Sequence, residues 1–237
     1  ILRDKSHKYH SLVSKVRKQP AKTSNFLMAY GGSSISLSRK LIIKESQGDE
    51  IVNAMAKLYP GIALAQEDAL RFAKANGFTE TAYGNRRHAS NDLFSHQKGL
   101  VSRQGRQLFN STIQGCAADL LKVVITKAET TEGGSVWDRL DSVLIAPVYD
   151  EIVASVPVSN AYQYISEMVE IMNILPPGHA VPMMADVSVG PCWQKQTEIG
   201  NFPTKPMVEY FAGIAFDEVV ARRGYWGKGA ATGENTN

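Results

Sequence analysis

"KTSNFLMAYGG", running from Lys22 to Gly32, decides how this chain is read. It opens on a cation and closes on Tyr-Gly-Gly. With Lys18 added, Lys18, Lys22, Phe26 and Tyr30 recur every fourth residue. On an α-helix each step of four drifts only about 40°, so the four side chains form one slowly turning stripe. Two cations on such a stripe can hold phosphates, and the rings one and two turns later can face a sugar and a base. An amphipathic helix that buries its Phe and Tyr would show the same spacing. This stretch alone does not choose between them.

Composition narrows the field. The chain has 237 residues, 43% of them apolar, enough for one or two domains with proper cores. It has no run of roughly 18 apolar residues that could form a membrane-spanning helix, and a membrane partner is not expected. The two cysteines, Cys116 and Cys192, form neither a disulfide framework nor a zinc spacing. They fit a reducing compartment, so a cytoplasmic location is expected. The net charge of +3 permits a polyanionic partner without demanding one. The first residue is Ile1 rather than Met, which suggests processing or a piece of something longer.

Local signals alternate between helix and strand. Lys18–Tyr30 reads as a helix stopped by Gly31-Gly32, and "SISLSRKLIIKE" and "GDEIVNAMAKLY" as two more. "PGIALAQEDALRFAKANG" carries Pro60 at its start and Gly77 just past its end. "FTETAYGNRR" reads as a hairpin turning at Gly84-Asn85, His88–Gly105 as loop, and Arg106 to about Ala128 as helix. "SVLIAPV" and "EIVASVPV" are strand-length apolar runs around Tyr149-Asp150. "NAYQYISEMVEIMN" is helical and "VPMMADVSV" a third strand candidate. Near the C-terminus, Met207, Tyr210, Phe211, Ile214, Val219 and Val220 fall near helical spacing. That predicts a docking helix, with a mobile tail in "GKGAATGENTN".

Two further constellations carry chemistry. In "RQGRQLFNSTIQGCAADLLK", Arg106, Asn110 and Gln114 are again four apart, and all three have donors. Such side chains can reach the minor-groove acceptors that every base pair shares. A polar solvent face would look the same. Asp119 there reads as a structural salt-bridge partner. In "APVYDEIVAS", Asp150-Glu151 sit between two strands. Adjacent carboxylates at a hairpin tip suit a divalent metal, although most such pairs are only turn residues.

Taken together and in this order, Lys-x3-Lys-x3-Phe-x3-Tyr-Gly, Arg-x3-Asn-x3-Gln-Gly-x-Ala-Ala-Asp and Tyr-Asp-Glu resemble the family A DNA polymerases, the bacterial polymerase I class. "FTETAYGNRRH", "YPG" at Tyr59–Gly61 and "DVSVGPCW" ending at Trp193 agree, so the resemblance covers roughly Asp4 to Trp193.

The resemblance implies roles. Lys22 would contact the incoming triphosphate and act as a general acid, and Lys18 would contact the outer phosphates. Phe26 would face the nucleotide sugar and Tyr30 the nascent pair. Arg106, Asn110, Gln114 and Tyr149 would touch the primer-template. Asp150 would bind catalytic metal, with Glu151 beside it as a second catalytic carboxylate. Two Mg²⁺ ions would serve as cofactor, with primer-template DNA and dNTPs as partners.

The sequence departs from the family pattern at several places. Lys18 stands where the family usually has Arg, Tyr149 where it has His, and Leu27 where it has Gly. The upstream strand with the second metal-binding aspartate, and the thumb, are not in this sequence.

The expected fold is α+β, mostly helical fingers plus a small antiparallel palm sheet, polymerase I-like and incomplete without the upstream palm and thumb. Residues 1–131 would be fingers, 132–197 the C-terminal part of the palm, and 198–237 an extension. The expected function is template-directed DNA synthesis as the C-terminal part of a split or fragmented enzyme. A second polypeptide would carry the rest, and a bacteriophage source, working in the bacterial host cytoplasm, is the expectation from the divergence. A single-subunit RNA polymerase-like enzyme and a non-catalytic DNA-binding or assembly subunit are the alternatives.

Overall fold

The computed structural model describes residues 7–16 and 20–230, with side chains through Arg222. Among the described residues the fold is mostly helical with three small antiparallel two-stranded sheets. Two compact units meet in sequence after Cys116.

The first unit contains α1 (His10–Val16), α2 (Lys22–Ala29), α3 (Ser34–Leu41), α4 (Glu45–Leu58) and α5 (Pro60–Asn76). The β1–β2 hairpin (Phe78–Glu80 and Arg86–His88) follows, then α6 (Lys98–Glu129), whose residues through Cys116 belong to this unit. Local chemistry sets these boundaries. The Ser33 hydroxyl accepts from the Ser36 N–H at 3.3 Å and caps α3. The Gln47 side-chain oxygen Oε1 accepts from the Lys44 N–H at 3.1 Å and fixes the entry of α4. A Cβ on Gly48 would fall 2.0 Å from Ser38 Oγ, so α3 and α4 pack in near-contact. Pro60 opens α5, and Gly77, at φ +77°, closes it in the left-handed region. In the hairpin, Arg86 pairs with Glu80 at 2.7 Å and lies 4.4 Å over the Phe78 ring. Ala73, Leu93 and Leu108 form the small buried cluster of this unit.

The second unit takes the rest of α6, then α7 (Val136–Arg139) and the β3–β4 hairpin (Val143–Val148 and Glu151–Ser155). After it come α8 (Ala161–Met172), the β5–β6 hairpin (Val187–Cys192 and Lys195–Gly200) and α9 (Lys205–Ala230). Its core gathers Val124 and Ala128 of α6, Trp137, Tyr164, Met168, Ile199, Val208 and Ala212. Arg139 ties the loop before α7 to α8, donating to the Gly134 carbonyl at 3.2 Å and pairing with Glu167. No helix among the described residues is long and apolar enough to cross a membrane.

Four local expectations need correction. The polar stretch read as loop through Gly105 is helical from Lys98, because Gln104 and Leu108 bury one face of α6. The third strand candidate is shifted: β5 begins only at Val187 and runs to Cys192. Its partner β6 has polar, exposed residues at Lys195–Glu198 and gives no apolar alternation. The buried face of α9 is Val208, Ala212 and Ala215, with Phe211 partly covered, while Met207, Tyr210, Ile214 and Val220 are exposed. Small alanines let α9 lie close to its neighbours, so the contact face is rotated from the one bulk would choose. The helix continues through Ala230, into the stretch read as tail, and residues 231–237 lie outside the described residues.

Candidate active site

The stripe on α2 is continuous. Lys22 Nζ lies 5.5 Å from the Phe26 ring centroid, and the Phe26 and Tyr30 rings stack at 6.1 Å with 19° between planes. Lys22 and Phe26 are exposed. Lys18 lies outside the described residues. The Ser24 hydroxyl, buried, donates to the Pro20 carbonyl at 2.7 Å.

The glycines after the stripe close the helix with paired bonds. Gly32 N–H donates to the Leu27 carbonyl at 2.7 Å and Gly31 N–H to the Met28 carbonyl at 3.0 Å. This is a Schellman cap, and it requires the φ of +71° found at Gly31. The Leu27 side chain covers Gly32, where a Cβ would fall 2.3 Å from it. Leu27 therefore fills the space beside the cap. Gly31 is also hemmed in, because a Cβ there would lie 2.9 Å from Arg106 Cγ. The end of α2 thus rests on the α6 residue that begins the second stripe.

On α6, Arg106 is exposed and donates to Ser102 Oγ at 2.7 Å. Gln114 is exposed. Asn110 is half-buried, and its Oδ1 is buried without a hydrogen-bond partner among the described residues. A Cβ on Gly115 would lie 2.8 Å from the Thr81 methyl, so the hairpin segment approaches α6 there.

Tyr149, Asp150 and Glu151 belong to the second unit. Val148 pairs with Glu151, which makes Tyr149-Asp150 a two-residue turn. Tyr149 has φ +55° and is 93% exposed. The two carboxylates differ. The Trp193 indole N–H donates to both Glu151 oxygens at 3.2 Å. Asp150 is exposed, and no hydrogen bond or ion pair from the described residues reaches it. Its free, hard oxygen donors suit a divalent cation as one ligand. No cluster of three or more His, Cys, Asp or Glu groups occurs among the described residues. Asp119, nearly fully buried, contacts Lys122 Nζ at 3.4 Å, as the sequence suggested.

For two residues nothing in the sequence signals the contact they make. Trp193 reaches Glu151 across 42 positions. Gln66 on α5 donates its amide to the Met28 and Ala29 carbonyls at 3.3 and 3.2 Å, 38 and 37 positions away. Only the folded chain brings either pair together.

Comparison with known proteins gives a consistent result. The family model described as DNA polymerase family A matches residues 5–195. A thermostable DNA polymerase I of Thermus filiformis is 30% identical over 186 residues, 77% of this chain and 21% of that protein. The DNA polymerase I of Deinococcus radiodurans is 29% identical over 178 residues, 75% of this chain and 18% of that protein. Among solved structures, the POL domain of Pol1 from M. smegmatis, in complex with DNA primer-template and dNTP, has a TM-score of 0.61. The match covers 69% of this chain and 28% of that chain at 23% identity, which is a likeness of fold. The chain spans about a fifth of the length of these curated relatives.

Proposed function

This chain belongs to DNA polymerase family A, and on that premise we propose that it supplies part of the nucleotide-addition site of a template-directed DNA polymerase. The observation that carries the reading is the Lys22–Phe26–Tyr30 ladder, whose capped end rests on Arg106. A cation followed by two stacked rings matches a triphosphate followed by sugar and base. Lys22 and Lys18 hold the phosphates, with Lys22 placed to protonate the departing pyrophosphate. Phe26 faces the sugar and Tyr30 the nascent pair. Arg106, Asn110 and Gln114 present donors to acceptors common to all base pairs, and Tyr149 adds a phenol. Asp150 holds Mg²⁺, with Glu151 beside it. The bound ion supplies charge neutralisation at the reacting phosphate.

A second polypeptide, or a further stretch of the same one, completes the site. Among the described residues β3 pairs with β4 alone. Val143 and Ile145 on β3 are both 62% exposed. An apolar edge strand of this kind is suited to accept another strand. A shared sheet of that sort makes a large, apolar interface.

The test is primer extension. With Mg²⁺ and dNTPs the chain alone should be inactive, and adding the polypeptide with the upstream palm and thumb should produce extension. Arg106→Ala and Gln114→Ala should then weaken primer-template use about equally across sequences, since shared acceptors are read. Extension by the chain alone, or losses confined to particular base pairs, would contradict this reading. Preference for rNTPs over dNTPs would favour the RNA polymerase alternative.

A further inference from the structure

The last carbonyls of α2 can be accounted for one by one. Phe26 O accepts from Tyr30 N–H, Leu27 O from Gly32 N–H, and Met28 O from Gly31 N–H. Ala29 O has no backbone donor among the described residues. Helix ends leave such carbonyls orphaned unless a side chain reaches them. Here Gln66 Nε2 does so, at 3.2 Å from Ala29 O and 3.3 Å from Met28 O. The reverse orientation of the amide would put Oε1 against two carbonyl oxygens, so the donor assignment follows from chemistry.

Gln66 sits on the inward face of α5, in line with Ile62, Leu70 and Ala73 at helical steps. A polar side chain on that face needs partners, and α2 provides them. Its Oε1 lies 3.6 Å from where a Cβ on Gly31 would stand, with Arg106 Cγ 2.9 Å from the same point. Gly31 is thus held between α5 and α6, directly after Tyr30.

We propose that Gln66 is a positioning residue for nucleotide selection: its amide fixes the last turn of α2, and so the Tyr30 ring, against the residue that begins the primer-template stripe. This role rests on α2 being the nucleotide-binding helix. The Gln66 amide donates to backbone carbonyls, so on this proposal it acts through α2 and not on substrate directly. Its loss should therefore move nucleotide affinity and leave DNA binding alone.

The experiment has two arms and uses three variants. Gln66→Leu keeps bulk and removes the donor. Gln66→Glu keeps shape and sets oxygen against oxygen. Leu93→Ala weakens the core of the same unit without touching the cap. In the full chain, amide exchange at Tyr30 to Gly32 should speed up about tenfold in Gln66→Leu, and further in Gln66→Glu. In Leu93→Ala it should speed up no more than elsewhere in the unit. In the completed polymerase, KM for dNTP should rise about tenfold in Gln66→Leu. Its kcat and primer-template affinity should stay within about twofold, and Leu93→Ala should show no such split. Unchanged exchange overturns the clamp. Faster exchange with unchanged KM for dNTP overturns the selection role. A completed wild-type protein that extends no primer overturns the function reading, and this role with it, before any Gln66 variant is compared.

Discussion

The two units are held by different means. In the second, thirteen buried apolar residues among those described, from α6, α7 and Leu140 just after it, α8, β6 and α9, form one cluster. In the first, the corresponding cluster has three among the described residues, and Leu37 and Phe109 are buried apart from it. Burial supplies about 25 cal/mol per Å², so the second unit draws mainly on its core. The first relies more on hydrogen-bonded ends: the Ser33 cap, the Lys44–Gln47 bond, Gly77, the Gly31-Gly32 cap and Gln66. Each such device contributes about 1 kcal/mol. The lesson concerns mobility. Segments that open around ligands come from the low-stability end of a structure, and the unit with the α2 stripe is built that way.

The largest effect tests whether chemistry also divides between the units. Asp150→Asn in the completed polymerase should lower the rate of nucleotide addition by more than about a hundredfold, with primer-template binding within a few-fold. Wild-type-like extension would remove the metal assignment of Asp150.

A smaller effect tests the difference in cores. Leu93→Ala and Met168→Ala should each cost about 2–5 kcal/mol. All three tryptophans, at 137, 193 and 226, follow Cys116 in the sequence, so fluorescence is the probe for the second unit. Leu93→Ala should bring forward the loss of helical circular dichroism while the fluorescence transition stays in place. Met168→Ala should move the fluorescence transition. One shared transition, shifted equally by both, would break the comparison.

The smallest effect is a pH dependence confined to the second unit. The Arg139 guanidinium, hydrogen-bonded to Glu167, holds that carboxyl below the usual glutamate range. A depressed folded-state pKa adds stability above the unfolded value and loses it as pH falls through the folded one. The stability gap between wild type and Glu167→Gln should therefore be small, constant near neutral pH, and shrink below about pH 4. A gap that grows in acid would refute the pairing.

What the sequence made legible follows from where each signal resides. Pro60 and Gly77 bound α5 because proline and glycine act on their own backbone. The β3–β4 turn was readable because two apolar runs flank two residues. The start of α6 was not readable. Lys98–Gly105 holds two glycines and several polar residues, and it is helical because Gln104 packs inward and Gly105 lies against Leu70. β6 exists through pairing with β5 rather than through alternation. The α2 stripe showed itself at single-helix range, while Gln66 and Trp193 act on partners far along the chain.

Tyr149 has one more consequence. It is neither glycine nor asparagine, yet it holds φ +55° with its ring almost wholly in solvent. That geometry costs about 1–2 kcal/mol, which its surroundings do little to return. Any screen that rewards heat resistance alone should therefore be drawn to position 149, because Asn or Gly relaxes the turn. Such winners would discard the phenol beside Asp150. If Tyr149 touches the primer-template as proposed, thermal selection and catalytic selection would pull this one codon in opposite directions.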